Sequence, residues 1–180
     1  MLEQLALTVP GRSPVISLKR VAQIGYGHYA AVLVPGGHAP MQDLLKDASL
    51  GALLRQFHAD GKPTALLCHG PIALLSALPQ AAAFAAALEA GRTPVKPADW
   101  IYSGYRMTVI SNQEELAAQG ALKGGTMKFY PQSGLQAPGA QYVSNRAPWS
   151  SHVVVDRELI TGQNPASAPA LAQQLLRALR

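Results

Sequence analysis

Residues 64–71, Thr-Ala-Leu-Leu-Cys-His-Gly-Pro, constrain this chain more than any other stretch, because they set its one cysteine between a short apolar run and a proline-started helix. The run 64–67 is uncharged and follows the turn signal Gly61-Lys62-Pro63, as a buried parallel strand does, and Gly70-Pro71 places proline where helices begin. A strand that turns sharply into a helix at a cysteine is a nucleophile elbow: the side chain is forced outward and backbone N–H groups are left free beside it. His69, next in sequence, is the natural general base for Cys68. A lone cysteine among apolar residues usually packs as an inert core group, but that role needs neither an adjacent histidine nor a Gly-Pro helix start.

The rest of the chain fits around this elbow as strands alternating with helices. Residues 29–34 are apolar and run into Pro35-Gly36-Gly37, as a central strand ending in a tight loop does. Residues 48–59 carry helical periodicity in Leu50, Leu53, Leu54 and Phe57, with Asp47 as cap and Gly61 as stop. A second helix is expected over 78–90, where the alanine-rich stretch 81–87 needs only helix propensity to explain it. Strands are expected over 5–9, 106–110, 141–143, 152–155 and 158–160, a short helix after the Ser111-Asn112 cap, irregular chain around one short helix in 124–139, and a terminal helix over 168–179. This alternation predicts a parallel α/β sandwich.

At 180 residues, 48% hydrophobic and 14% charged, one domain with a substantial core is expected. One cysteine excludes an internal disulfide, and no stretch has the length of a membrane span or the pattern of a secretory signal, so the cytoplasm is the expected compartment. The formal charge is +5 and the isoelectric point about 9.6, yet the basic residues are scattered and not interleaved with aromatics, which argues against a nucleic-acid partner. The five histidines and the cysteine lack zinc-site spacing and the glycines form no phosphate loop, so neither a metal nor a cofactor is expected.

Four motifs together resemble the ThiJ/PfpI superfamily, within the class I glutamine amidotransferase-like fold, and its glyoxalase III-like branch in particular. They are Val-Pro-Gly-Gly-His-Ala-Pro-Met at 34–41, the Cys-His-Gly-Pro elbow, Ser-Asn-Gln-Glu-Glu at 111–115, and the stretch from Pro148-Trp149 through His152 to Asp156 and on to Leu159 and Pro165. The resemblance implies a three-layer α/β/α sandwich with a mostly parallel, flavodoxin-like sheet. It also implies Cys68 as nucleophile, His69 as its partner and Glu115 as the third member, with Glu114 as the alternative. Neighbouring helical residues point about 100° apart, so only one of the two glutamates can face the site. The backbone N–H groups of Gly37 and His69 are expected to form an oxyanion hole, with His38, Trp149 and His152 bordering the substrate pocket or, for the last two, a subunit contact; a homodimer is left open.

The activity the resemblance implies is conversion of methylglyoxal to lactate without glutathione or cofactor, through a Cys68 hemithioacetal. Other readings stay open: a stress or redox sensor or holdase chaperone without turnover, and amidohydrolase, peptidase or deglycase chemistry on the same trio. In similar proteins a first strand and a helix carry a buried glutamate that bonds the cysteine and shuttles a proton. Residues 1–180 start after that point, so the domain is expected to be N-terminally incomplete, a misassigned start codon being favoured over divergence, and the role is not transferred to Glu3.

Overall fold

A computed structural model describes residues 15–122 and 126–180. The apolar run before the cysteine forms the central strand β2 (Thr64–Leu67), parallel on one side to β1 (Val32–Val34) and on the other to β6 (Leu159–Gly162), while β5 (Val153–Asp156) closes the far side antiparallel, giving the order β1-β2-β6-β5. Successive residues of β2 face opposite layers, as the two-residue period of a strand requires. Leu66 joins the main core with helix α2 (Ala48–Ala59) and residues 70–77, whereas Ala65 meets Leu171 of the terminal helix α6 (Ala168–Ala178). The result is the expected three-layer α/β/α sandwich with a mostly parallel sheet.

Helix α2 follows its sequence signals closely. Asp47 accepts the Leu50 N–H at 2.7 Å, and Leu50, Leu53, Leu54 and Phe57 are buried with Gly51. Glycine at 51 permits a close approach: a Cβ there would lie 2.1 Å from the Ser76 carbonyl oxygen. That carbonyl belongs to the segment after the elbow, which winds as a 3₁₀ helix over Gly70–Ala77 rather than as the expected α-helix. All eight of its residues are buried, pressed between α2 and the sheet, and the narrower winding of a 3₁₀ turn fits that confined space.

Other expectations shift in extent. Strand β1 forms over Val32–Val34 and not the whole of 29–34, and the expected helix over 78–90 is α3 (Ala81–Glu89). The strand expected over 106–110 reduces to β3 (Arg106–Met107), which pairs in parallel with β4 (Gln141–Tyr142) in a separate ribbon. The chain then bends inward: the Thr108 N–H reaches Thr161 Oγ1 at 2.9 Å and the Ile110 N–H reaches the Cys68 carbonyl at 3.1 Å. This departure from the sheet carries residues 111–115 to the elbow. In 124–139 the short helix is α5 (Pro131–Gln136). An additional helix, α1 (Leu18–Ile24), starts from the Ser17 cap and packs Leu18 and Val21 against the core without burying either fully. The strand expected over 5–9, and Glu3, lie outside the described residues.

Candidate active site

Cys68 occupies the left-handed region at φ 58°, where a non-glycine residue is strained. Two backbone hydrogen bonds hold it there: its N–H donates to the Gly162 carbonyl at 2.8 Å and its carbonyl accepts from Ile110. Glycines permit the close packing around the turn. A Cβ on Gly36 would lie 2.7 Å from Cys68 Cβ, and one on Gly70 would lie 2.7 Å from the Val34 carbonyl oxygen. The loop after β1 and the turn after β2 are thereby brought together at the carboxyl ends of parallel strands, where open α/β sheets bind ligands.

The buried His69 ring bridges sulfur and carboxylate. Its Nδ1 lies 3.3 Å from Cys68 Sγ, and its Nε2 lies 2.5 Å from Glu115 Oε1, an ion-pair contact without the alignment of a hydrogen bond. Burial disfavours the charged imidazole, but bonding to Cys68 and to Glu115 outweighs it and raises the His69 pKa to about 9. The ring is therefore an imidazolium at neutral pH, placed to stabilise a thiolate. The same geometry makes stability pH-dependent. The stabilisation from the bridge is fully present below His69's unfolded value near 6.5 and is lost as pH rises through about 9. Equilibrium denaturation is expected to show a loss on the order of 3 kcal/mol across that window, and Glu115→Gln is expected to reduce it while leaving the larger share that comes from Cys68; equal slopes in both proteins would contradict this account.

The two adjacent glutamates of α4 (Asn112–Ala118) have separate surroundings. Glu114 closes the capping box with Ser111, accepting from its N–H and hydroxyl at 2.9 and 2.8 Å, and also accepts from the Trp149 N–H at 2.7 Å, Gln163 at 3.0 Å and Asn164 at 2.8 Å. Although burial opposes its ionisation, the bonds from Ser111, Trp149, Gln163 and Asn164 hold its carboxyl below the usual range. Glu114 is thus a structural anchor, and Glu115 is the glutamate that meets His69.

Of the other residues singled out in the sequence, Gly37 adopts φ 95° with open space where a Cβ would be, and His38 is exposed with its ring centroid 4.3 Å from that of His69. His38 also lines a cavity of about 390 Å³ with Met41, Lys46, Met127 and Phe129. The Trp149 backbone serves Glu114 while its side chain is exposed. His152 donates its backbone N–H to Ser167, and burial lowers its side-chain pKa; no contact joins it to Cys68, His69 or Glu115. Sequence reasoning missed Gln163 and Asn164 as parts of the site's framework, and also the contact of His58 with Glu158 at 2.7 Å, at the far end of β2. Donor atoms of His38, His69 and Glu115 lie within 4.8 Å of one another, but His69 already commits one nitrogen to sulfur and the other to the carboxylate, so a cation there would have to dismantle the bridge.

Known proteins resemble this chain along most of its length. A profile of the DJ-1/PfpI family matches residues 15–81. The chain is 28% identical over 157 residues to the bovine "Glutamine amidotransferase-like class 1 domain-containing protein 1", covering 87% of this chain and 62% of that one. It is 26% identical over 162 residues to the "Glutathione-independent glyoxalase hsp3101" of Schizosaccharomyces pombe, covering 89% and 61%. Among solved structures, the Rapid Encystment Protein 24 KDa of Francisella tularensis superposes with a TM-score of 0.66 at 26% identity, over 92% of this chain and 63% of that one. Over residues 15–81 the chain is similar to the DJ-1/PfpI family, and over most of its length to proteins that include a glutathione-independent glyoxalase. It spans about three fifths of the length of these curated relatives. Among the described residues no helix is long and apolar enough to cross a membrane.

Proposed function

We propose that this protein is a glutathione-independent glyoxalase that converts methylglyoxal, or a related small 2-oxoaldehyde, to the 2-hydroxy acid. The observation that carries this reading is the continuous contact from Cys68 Sγ through the charged His69 ring to Glu115. In this reading the Cys68 thiolate adds to the aldehyde carbon, and the oxygen that becomes negative is received by the N–H groups of Gly37 and His69. Glycine suits the first position because its backbone can approach a substrate oxygen closely. The His69 imidazolium then supplies the proton that makes the hemithioacetal hydroxyl, and Glu115 holds the ring's charge and orientation. An internal proton shift gives a thioester of the hydroxy acid, which water hydrolyses, returning the thiol. The glyoxalase name of the fission-yeast relative supports the substrate class.

The test is lactate formation from methylglyoxal in buffer free of glutathione, before and after alkylation of Cys68 with iodoacetamide. Turnover that disappears on alkylation is the expected result. Absence of lactate from folded, unmodified protein would reject the reading.

A further inference from the structure

Two consecutive residues at the end of β6 support opposite ends of the bridge. The Gly162 carbonyl accepts the Cys68 N–H at 2.8 Å and so holds the turn that carries the nucleophile. Gln163 follows it and is buried. Its amide N–H₂ donates to Glu114 Oε2 at 3.0 Å, while its amide oxygen accepts from the Asn145 N–H at 2.9 Å and from the Thr108 hydroxyl at 3.4 Å. A backbone N–H can only donate and an ionised carboxylate can only accept, so these neighbours fix which way round the amide lies. Thr108 and Glu114 are themselves buried, and a partner lost there is not replaced by water.

Gln163 thus grips the α4 segment twice, at Thr108 on the way in and at Glu114 in the first turn. Trp149 and Asn164 also donate to Glu114, but among the described residues neither is bonded to the chain that leads into the helix. With seven residues, α4 is too short to be held by helix formation alone, so bonds of this kind set its seat against the elbow. Glu115 follows Glu114 and stands 2.5 Å from His69 Nε2. The strength of an ion pair depends on its separation, so a displaced helix acts directly on that contact.

We infer that Gln163 is a positioning residue of this site: by fastening Thr108 and Glu114 to the end of β6, it keeps the Glu115 carboxylate against the His69 ring. Gly162 fastens Cys68 to the same strand, so one dipeptide sets both ends of the bridge. The effect on turnover rests on the glyoxalase reading; the effect on the ring does not.

The experiment compares unmodified protein with Gln163→Met, which keeps the bulk and loses the side-chain bonds, and Gln163→Asn, which keeps an amide on a stem too short to reach Glu114 and Asn145 together. His58→Gln, which alters the contact with Glu158 at the far end of β2, controls for a general loss of stability. The His69 ring is titrated by NMR, its signal identified by its absence from His69→Asn, and lactate formation from methylglyoxal is followed in parallel. Cys68 and His38, the other titratable groups against that ring, are the same in all the proteins compared. The midpoint near 9 of the unmodified protein is expected to fall by about one pH unit in both Gln163 variants, with about a tenfold loss of turnover, and to stay in place in His58→Gln. An unchanged midpoint in either folded Gln163 variant would overturn the inference, whatever its stability, and so would an equal fall in His58→Gln. If the unmodified protein makes no lactate, the glyoxalase reading falls, while the His69 midpoint still decides the role of Gln163.

Discussion

Cys68→Ala and Cys68→Gly are both expected to abolish methylglyoxal turnover, by at least about ten-thousandfold, and to differ from each other in stability. Removing sulfur leaves nothing to add to the aldehyde, so neither variant can enter the proposed reaction. Their stabilities separate because of the backbone: at φ 58° alanine keeps the strain that cysteine bears, whereas glycine adopts that conformation freely. Cys68→Gly is therefore expected to exceed Cys68→Ala in unfolding free energy by about 1 kcal/mol, the reverse of the usual order for a residue inside a regular element. Denaturant titration of the pair decides the matter. An alanine variant as stable as the glycine one would mean that the turn is not strained.

The adjacent glutamates should fail in different ways. Glu115→Gln keeps shape but removes the charge that faces the His69 imidazolium, so turnover is expected to fall by about a hundredfold or more with the fold intact. Glu114→Gln puts an amide N–H₂ where the carboxylate accepts hydrogen bonds from Ser111, Trp149, Gln163 and Asn164. Buried donors that lose their acceptor cost heavily, and about 3 kcal/mol of stability is expected to go. Thermal unfolding and kcat measured on both variants give the answer. A stable but inactive Glu114→Gln beside an active Glu115→Gln would exchange the two assignments.

The parts legible in the sequence are those whose causes are local. Asp47 caps α2 through the Leu50 N–H three residues on, and the buried strand, the cysteine and the histidine of the elbow are consecutive. The identity of the glutamate facing His69 was not local. Trp149, Gln163 and Asn164, which engage Glu114 and so leave Glu115 to the ring, lie 35 to 50 residues further along, and no spacing rule within 111–115 contains them. The same applies to the shortened strand at 106–107: its continuation is drawn out of the sheet by Thr161 and by the Cys68 carbonyl, partners that periodicity does not show. The close pass of Gly70–Ala77 against α2 needs glycine at 51, again a tertiary cause.

The anchoring of Glu114 has a consequence for how such a protein can diversify. Helix α4 has only seven residues, yet its acidic end is tied through Gln163 and Asn164 to the chain leaving β6, the strand beside β2. The acid's position is therefore inherited from the sheet and not from the loops around the mouth. Under the proposed function, drift in residues 41–46 or 126–129, which line the cavity beside His38, would reshape what reaches the site while the sulfur, the ring and the carboxylate stay aligned.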